Sequence, residues 1–305
     1  MYMRFFCSKI AVVRLSLVAL VFVIVHCALC AQGPLDGYLK GKGVLDLAPS
    51  FSFLSGNTFV GAADDRYDLP WRGSMLGLFG EYGLSEGLDI VATGAYIFTA
   101  DNSGLQDGSL HVKYRSFYRE REKGERIGVL LATGVQFPLA RYEILNAGAL
   151  GQRALVAPIA LMGQWETAPG IFFHVQAAYN HRFDRLREED IAVVRRQRPN
   201  YEPVAPASFY TALFRVGFPA RRFYTDAWIQ IQHTPGGADY APNVSDLPQA
   251  YGVSFTQIGG VLYYSENGSN GFLVSFGKII DGRNVNLMGR VTLGAVFKIR
   301  GRSSG

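Results

Sequence analysis

The 305-residue chain has three cysteines, Cys7, Cys27 and Cys30, and all of them lie in its first thirty residues. The rest is cysteine-free, which excludes a disulfide framework, a thiolate metal site and a cysteine nucleophile there. Charge of one sign is also scarce. Without Arg4, Lys9 and Arg14 the chain carries 27 Lys and Arg against 25 Asp and Glu, so little of the formal +5 remains. That balance gives no electrostatic argument for a nucleic-acid partner. No P-loop, dinucleotide fingerprint or EF-hand pattern occurs, and neither a cofactor nor a bound metal is expected.

Long apolar runs are missing too. The one candidate, Leu15 to Val25 (LSLVALVFVIV), has 11 residues, whereas a helical span needs about 20. It follows a basic stretch and precedes the small residues of CALCAQG, which is the layout of a secretory signal peptide over residues 1–31. Cleavage after Cys30 competes with cleavage after Ala31. A lipoprotein signal with Cys30 as the lipidated residue is the lesser alternative, because Leu29 is bulky where that signal takes a small residue.

What is present is alternation, in a chain with 35 Gly and 21 Phe. In SLHVKYRSFY, Leu110, Val112, Tyr114 and Tyr118 alternate with His111, Lys113 and Arg115. In IFFHVQAAYNHRF, Ile171, Phe173, Val175 and Tyr179 oppose His174, Gln176, Asn180 and Arg182. In FYTDAWIQIQH, Ala227, Ile229 and Ile231 oppose Asp226, Trp228 and Gln230. Successive side chains of a strand point to opposite faces, so this pattern reads as strands with two different faces. About twelve are expected, near 43–55, 73–83, 87–99, 107–119, 126–138, 154–166, 170–183, 207–219, 222–234, 249–264, 271–281 and 286–299.

The connections alternate in length. Long ones (56–72, 139–153, 184–206, 235–248) share one side with ADNSGLQ and DGRNV. LSE, EREKGER, TAP, ARR and ENGSN form the other side. Short turns at one end and longer loops at the other are the habit of outer-membrane barrels. Hydrocarbon tolerates no unpaired backbone group, so only helices or closed sheets cross it, with strands of roughly 9–11 residues. The expected fold is therefore all-β: a single up-and-down antiparallel transmembrane β-barrel of about 12 strands over residues 43–299. A short periplasmic segment (32–42) precedes it and a tail (300–305) follows. Tyr82, Tyr96, Phe98, Tyr118, Phe137 and Trp165 suit interfacial girdles.

Two motifs carry a resemblance. Thr292-x-Gly294-x-x-Phe297-x-Ile299 resembles the insertion signal that barrel-assembly machinery reads in a final strand. GKG (41–43) with the later EYGLSEGLDI resembles bacterial outer-membrane proteins of the phenol-degradation (meta-pathway) transporter family. The resemblance implies the outer membrane of a Gram-negative cell, with membrane lipid, the assembly machinery and a small-molecule solute as partners. It also implies transport of hydrophobic or aromatic compounds.

Candidate lumen and selectivity residues are His111, Lys113, Arg115, His174, Arg182, Arg215, Asp226, Trp228 and Arg290. Lys298 and the acids Asp46, Glu81, Asp89 and Glu166 are further inward groups, with Phe172 and Phe209 as inward aromatics. Such a mixed ladder either orients solutes or satisfies itself in a narrow interior, and both readings stand. His174 and His181 differ by an odd number, so one strand cannot aim both at a metal. The arginine-rich Arg185–Asn200 reads as a solvated loop with room for a short helical turn; an inward constriction or a site for anionic surface lipid is the lesser alternative. Solute transport is the expected function. A barrel-borne lipid hydrolase, a plugged structural or adhesive barrel and a soluble lectin-like sandwich are the rivals. The first of these needs an outward Ser–His pair.

Overall fold

The computed structural model describes residues 36–141, 153–183, 188–240, 247–266 and 270–300. The signal segment and the tail beyond Arg300 lie outside these. Twelve long strands run in chain order: β1 (Val44–Val60), β2 (Arg66–Ser85), β3 (Leu88–Thr99), β4 (Asp107–Glu120), β5 (Arg126–Pro138) and β6 (Val156–Glu166). They continue with β7 (Phe172–Arg182), β8 (Phe209–Ala220), β9 (Phe223–His233), β10 (Ser254–Ser265), β11 (Asn270–Arg283) and β12 (Gly289–Arg300). Each pairs antiparallel with its sequence neighbours, and β12 returns to β1 from Val44↔Arg300 to Ser55↔Gly289. The sheet is a closed up-and-down barrel without a free edge.

Period-two patterning places the side chains. Asp89, Val91 and Ile97 of β3 are buried inside, while Phe98 is exposed outside. Leu76, Leu78, Leu110, Tyr114, Leu131, Ile159, Val175, Phe214, Ile231, Leu262, Phe272 and Leu293 are all exposed large apolar groups on outward positions. An apolar band around a closed sheet is the surface of a barrel that sits in lipid. Tyr82, Phe98, Phe137 and Trp165 belong to this outer surface, whereas Tyr118 lies past a bulge, across from Gly128 on the inward parity, under the Arg115 guanidinium. Trp165 stacks on Phe173 with centroids 5.3 Å apart.

The boundaries differ most at the first hairpin. Residues 56–72, expected as a long loop, continue both strands, with Gly56↔Trp71 and Phe59↔Tyr67 paired and only residues 61–65 turning. GNT and DLP look like loop chemistry, but a register shift between Gly56 and Thr58 absorbs the irregularity. The connection of β7 to β8 contains a ten-residue helix, α1 (Glu188–Gln197), inside the stretch read as a solvated loop. Acids fill its first turn and Arg195 and Arg196 its last, matching the helix dipole. Its Ile191 and Val194 cluster with Tyr201 and Leu247 of the neighbouring loops.

Small residues let large lumen rings lie flat. A Cβ on Gly259 would meet the Trp228 ring at 2.3 Å and the Phe276 carbonyl oxygen at 2.4 Å. Gly87, in the β2–β3 turn, has nothing within 4 Å. Gly259→Ala is expected to lower stability by about 1–3 kcal/mol through overpacking, and Gly87→Ala to be silent. Urea titration of the refolded proteins in detergent measures both.

Candidate functional site

The chain does not enter the wall directly. Residues 36–43 fold back into the barrel as a strap before β1 begins. The reversal is made at Gly41 and Gly43, both at positive φ (83° and 75°), where glycine alone carries no Cβ penalty. The Gly43 N–H donates to the Gly83 carbonyl at 2.8 Å, and a Cβ on Gly83 would strike the Gly41 carbonyl at 1.9 Å. Residues 32–42 were expected as a periplasmic segment. Asp36–Lys40 instead lie against lumen-facing side chains.

Charge holds the strap. Asp46, Glu81 and Asp89 project inward from three adjacent strands, and all three are buried. The Lys40 ammonium lies 3.1 Å from Glu81, 3.5 Å from Asp46 and 3.4 Å from Asp36, and its backbone N–H donates to Asp89 Oδ2 at 2.7 Å. Lys113, with no exposed surface, pairs with Glu81 and reaches Asp36 Oδ1 at 2.9 Å. It also donates to the Tyr38 carbonyl at 2.6 Å. Leu39 meanwhile packs on the inward apolar cluster of Val91, Leu130, Ala132, Ala160, Met162 and Ala178.

Opposite lies an aromatic and donor-rich wall. Tyr38 meets Phe172 edge to face (5.5 Å, 80°), and Phe172 stacks on Tyr224 (5.6 Å, 10°). The Tyr224 hydroxyl donates to Asp226 Oδ2 at 2.8 Å, and Arg215 Nε stands 3.9 Å from the same atom. Pairing runs His174↔Arg215↔Trp228↔Gly259↔Gly277↔Arg290 across six strands. Both His174 ring nitrogens and the Trp228 Nε1 are buried without a protein hydrogen-bond partner. Gly37 of the strap lies over this row, since a Cβ there would meet Gln164 Oε1 at 1.8 Å and His174 Nδ1 at 2.5 Å.

The inward candidates thus divide. Lys113, His174, Arg215, Asp226 and Trp228 face one another in the strap's half of the lumen. His111 is inward and buried beside Gly134. Arg182 is buried near the other end of β7, and its backbone N–H donates to Ser208 Oγ. Arg290 shares the row of Trp228, and Lys298 lies directly across from Asp46. Arg115 stays on the inward face, across from buried Leu130. The bulge between Arg115 and Phe117 begins beyond it, and the Arg115 guanidinium donates to the Glu86 carbonyl at the β2–β3 turn, at the end of the lumen. In the final strand, Thr292 shares a hydroxyl hydrogen bond with Ser52 at 2.8 Å, while Phe297 and Ile299 are exposed on the outer face.

Two features bear on catalysis. Gly83-Leu84-Ser85-Glu86-Gly87 spells G-x-S-x-G, yet it forms a β-hairpin turn and not the strand-to-helix elbow that exposes a nucleophile. On the outward side, Ser208 Oγ lies 3.4 Å from His181 Nδ1, a pair that only the β7–β8 register reveals. The same nitrogen also meets the Tyr179 hydroxyl at 3.3 Å. No carboxylate is bonded to His181 among the described residues, so nothing orients it as a triad base.

A closed, lipid-girdled barrel with a polar interior defines an outer-membrane type of β-barrel protein. An outer membrane channel from Pseudomonas putida F1 is similar over 88% of this chain and 100% of its own, with 12% identity and a TM-score of 0.62. The NanC porin is similar over 83% of this chain and 100% of its own, with 11% identity and a TM-score of 0.55. At such identity the likeness is one of fold. No protein-family model and no curated protein matches the sequence.

The strap's charges set a pH window. Burial alone would depress the Lys40 ammonium, but Asp36, Glu81 and Asp46 outweigh it and hold its pKa above the usual range. Burial alone would raise Asp36, and Lys113 with Lys40 reverse this and hold it below the usual range. A depressed carboxyl stabilises fully above its unfolded pKa of about 3.9, and the contribution is lost as pH falls through the lowered folded value. Asp36→Asn is expected to cost about 2 kcal/mol, the scale of hydrogen bonds to a charged group. The deficit should be the same at pH 7 and pH 5 and fade only below about pH 4, as read by urea titration at each pH.

Proposed function

We propose that the protein is an outer-membrane channel for small solutes, with hydrophobic or aromatic compounds as the preferred class. The observation that carries the reading is the lumen wall itself. The rings of Phe172, Tyr224 and Trp228 face inward beside donors on His174 and Trp228 that no protein group satisfies. Such a surface fits a flat apolar solute bearing one or two acceptors. The resemblance of GKG and EYGLSEGLDI to phenol-degradation transporters points the same way. On this reading Thr292, Gly294, Phe297 and Ile299 serve the barrel-assembly machinery, and the outer aromatic and aliphatic band meets membrane lipid.

The strap favours a second reading, a plugged barrel without transport, because Lys113, Glu81, Asp89 and His174 are all sealed behind it. The outward Ser208–His181 contact favours the lipid-hydrolase reading, and the missing orienting acid opposes it. Purified protein should release no more fatty acid from a phospholipid than its Ser208→Ala variant.

Conductance in planar bilayers separates the first two. The refolded chain from residue 32 should stay closed most of the time, and deletion of residues 32–42 should give stepwise openings. Lys113→Glu in the deleted form should shift permeability toward cations, and Arg115→Glu, on the same inward face nearer the lumen end, should shift it the same way. Silence from both folded forms would leave the plugged barrel.

A further inference from the structure

The Lys40 side chain is an alkylammonium supplied by a short pre-barrel strap, turned by Gly41 and Gly43, outside the hydrogen-bonded wall. It is received by carboxylates that belong to the wall. Asp46 and Glu81 are directly paired across β1 and β2, and Asp89 follows on β3, where Gly83 is its partner. Glu81 and Asp89 have no exposed surface, and Asp46 Oδ1 and Asp89 Oδ1 are buried without a hydrogen-bond partner even with the strap in place. Lys113 answers Glu81 alone among the three. Lys298 lies opposite Asp46 in register, but no ion pair joins them within 4 Å. Take Lys40 away and buried Asp46 loses its one ion pair among the described residues while Glu81 keeps only Lys113, which is a costly state unless another cation enters.

We infer that Asp46, Glu81 and Asp89 form a binding site for an organic ammonium ion in the lumen, and that Lys40 is its built-in occupant, in competition with a soluble one. The spare oxygens on Asp46 and Asp89 can accept further N–H donors, of which a primary ammonium has three. The neighbourhood suits an alkyl stem, since displacing the strap takes Leu39 off the inward apolar cluster and leaves that cluster and Phe79 of the wall to receive it. Among the described residues no three acidic or histidine groups are placed to hold a metal ion, which separates an ammonium from a divalent cation. Occupancy by a solute displaces the strap, so binding and opening are one event. The site stands on lumen geometry and does not depend on whether the barrel conducts.

Calorimetric titration of the refolded protein in detergent with n-butylammonium chloride tests this, with n-butanol and calcium chloride as controls. Lys40→Gln should bind butylammonium at least tenfold more tightly than the parent, and adding Asp46→Asn and Asp89→Asn should abolish the binding. If Lys40→Gln does not refold, deletion of residues 32–40 vacates the same cage and is titrated instead. Equal affinity in parent and Lys40→Gln, binding that survives the two Asn substitutions, or calcium binding tighter than butylammonium would each overturn the inference. A barrel that is silent in bilayers but binds butylammonium as described would defeat the channel reading and leave this site intact.

Discussion

A carboxylate inside a narrow barrel has little water to solvate it, and Asp46, Glu81 and Asp89 are stacked on three adjacent strands within reach of one another. Left alone they would repel and stay undersolvated, at a cost of several kcal/mol per buried ion. Two ammonium groups resolve this. Lys113 comes from the wall and Lys40 from a segment that is not part of the wall. Because half of the compensation lies outside the sheet, the strap's position, the closure of the lumen and the burial of the charges are bound together. The positive-φ glycines at residues 41 and 43 are then understandable as the reversal that delivers Lys40 to its partners.

The same logic divides the interior. On the β1–β4 side the polar groups answer one another through the strap. On the β7–β9 side, aromatic rings lie over glycines and leave His174 and Trp228 with unused hydrogen-bonding atoms. Buried polar atoms without partners are uncommon in folded proteins and call for a physical reason. A surface that meets solute or water supplies one. The outer surface needs none of this, since its large apolar groups are satisfied by lipid and its backbone by the closed ladder.

Much of the architecture was legible because alternation survives burial on one face and lipid on the other. Twelve strands, the inward placement of His111, Lys113, His174, Arg215, Asp226 and Trp228, and the opposed faces of His174 and His181 follow from parity alone. Parity fails where a bulge intervenes: it holds through Arg115, but beyond the bulge Tyr118, expected in the outer girdle, lies across from Gly128 on the inward parity. The first loop was misjudged because β1 and β2 run past the apolar band, where polar residues, Gly56 and Pro70 imitate a loop while the backbone stays paired. The strap left a fainter trace. Its eight residues are few and largely polar or glycine, as a linker's are, yet β1, β2 and β3 each carry an inward acid with no inward Lys or Arg beside it on the same strand. That surplus, read with GKG, was the available sign of a cation arriving from elsewhere.

Amide hydrogen exchange of the refolded chain, resolved to residues 36–43, tests the docked strap most directly. The account predicts that the Lys40 amide, bonded to buried Asp89, exchanges on the timescale of the β2 and β3 amides. The Lys40→Gln variant should exchange it much faster. Exchange of the parent's strap within seconds, at the rate of a free peptide, would contradict the account.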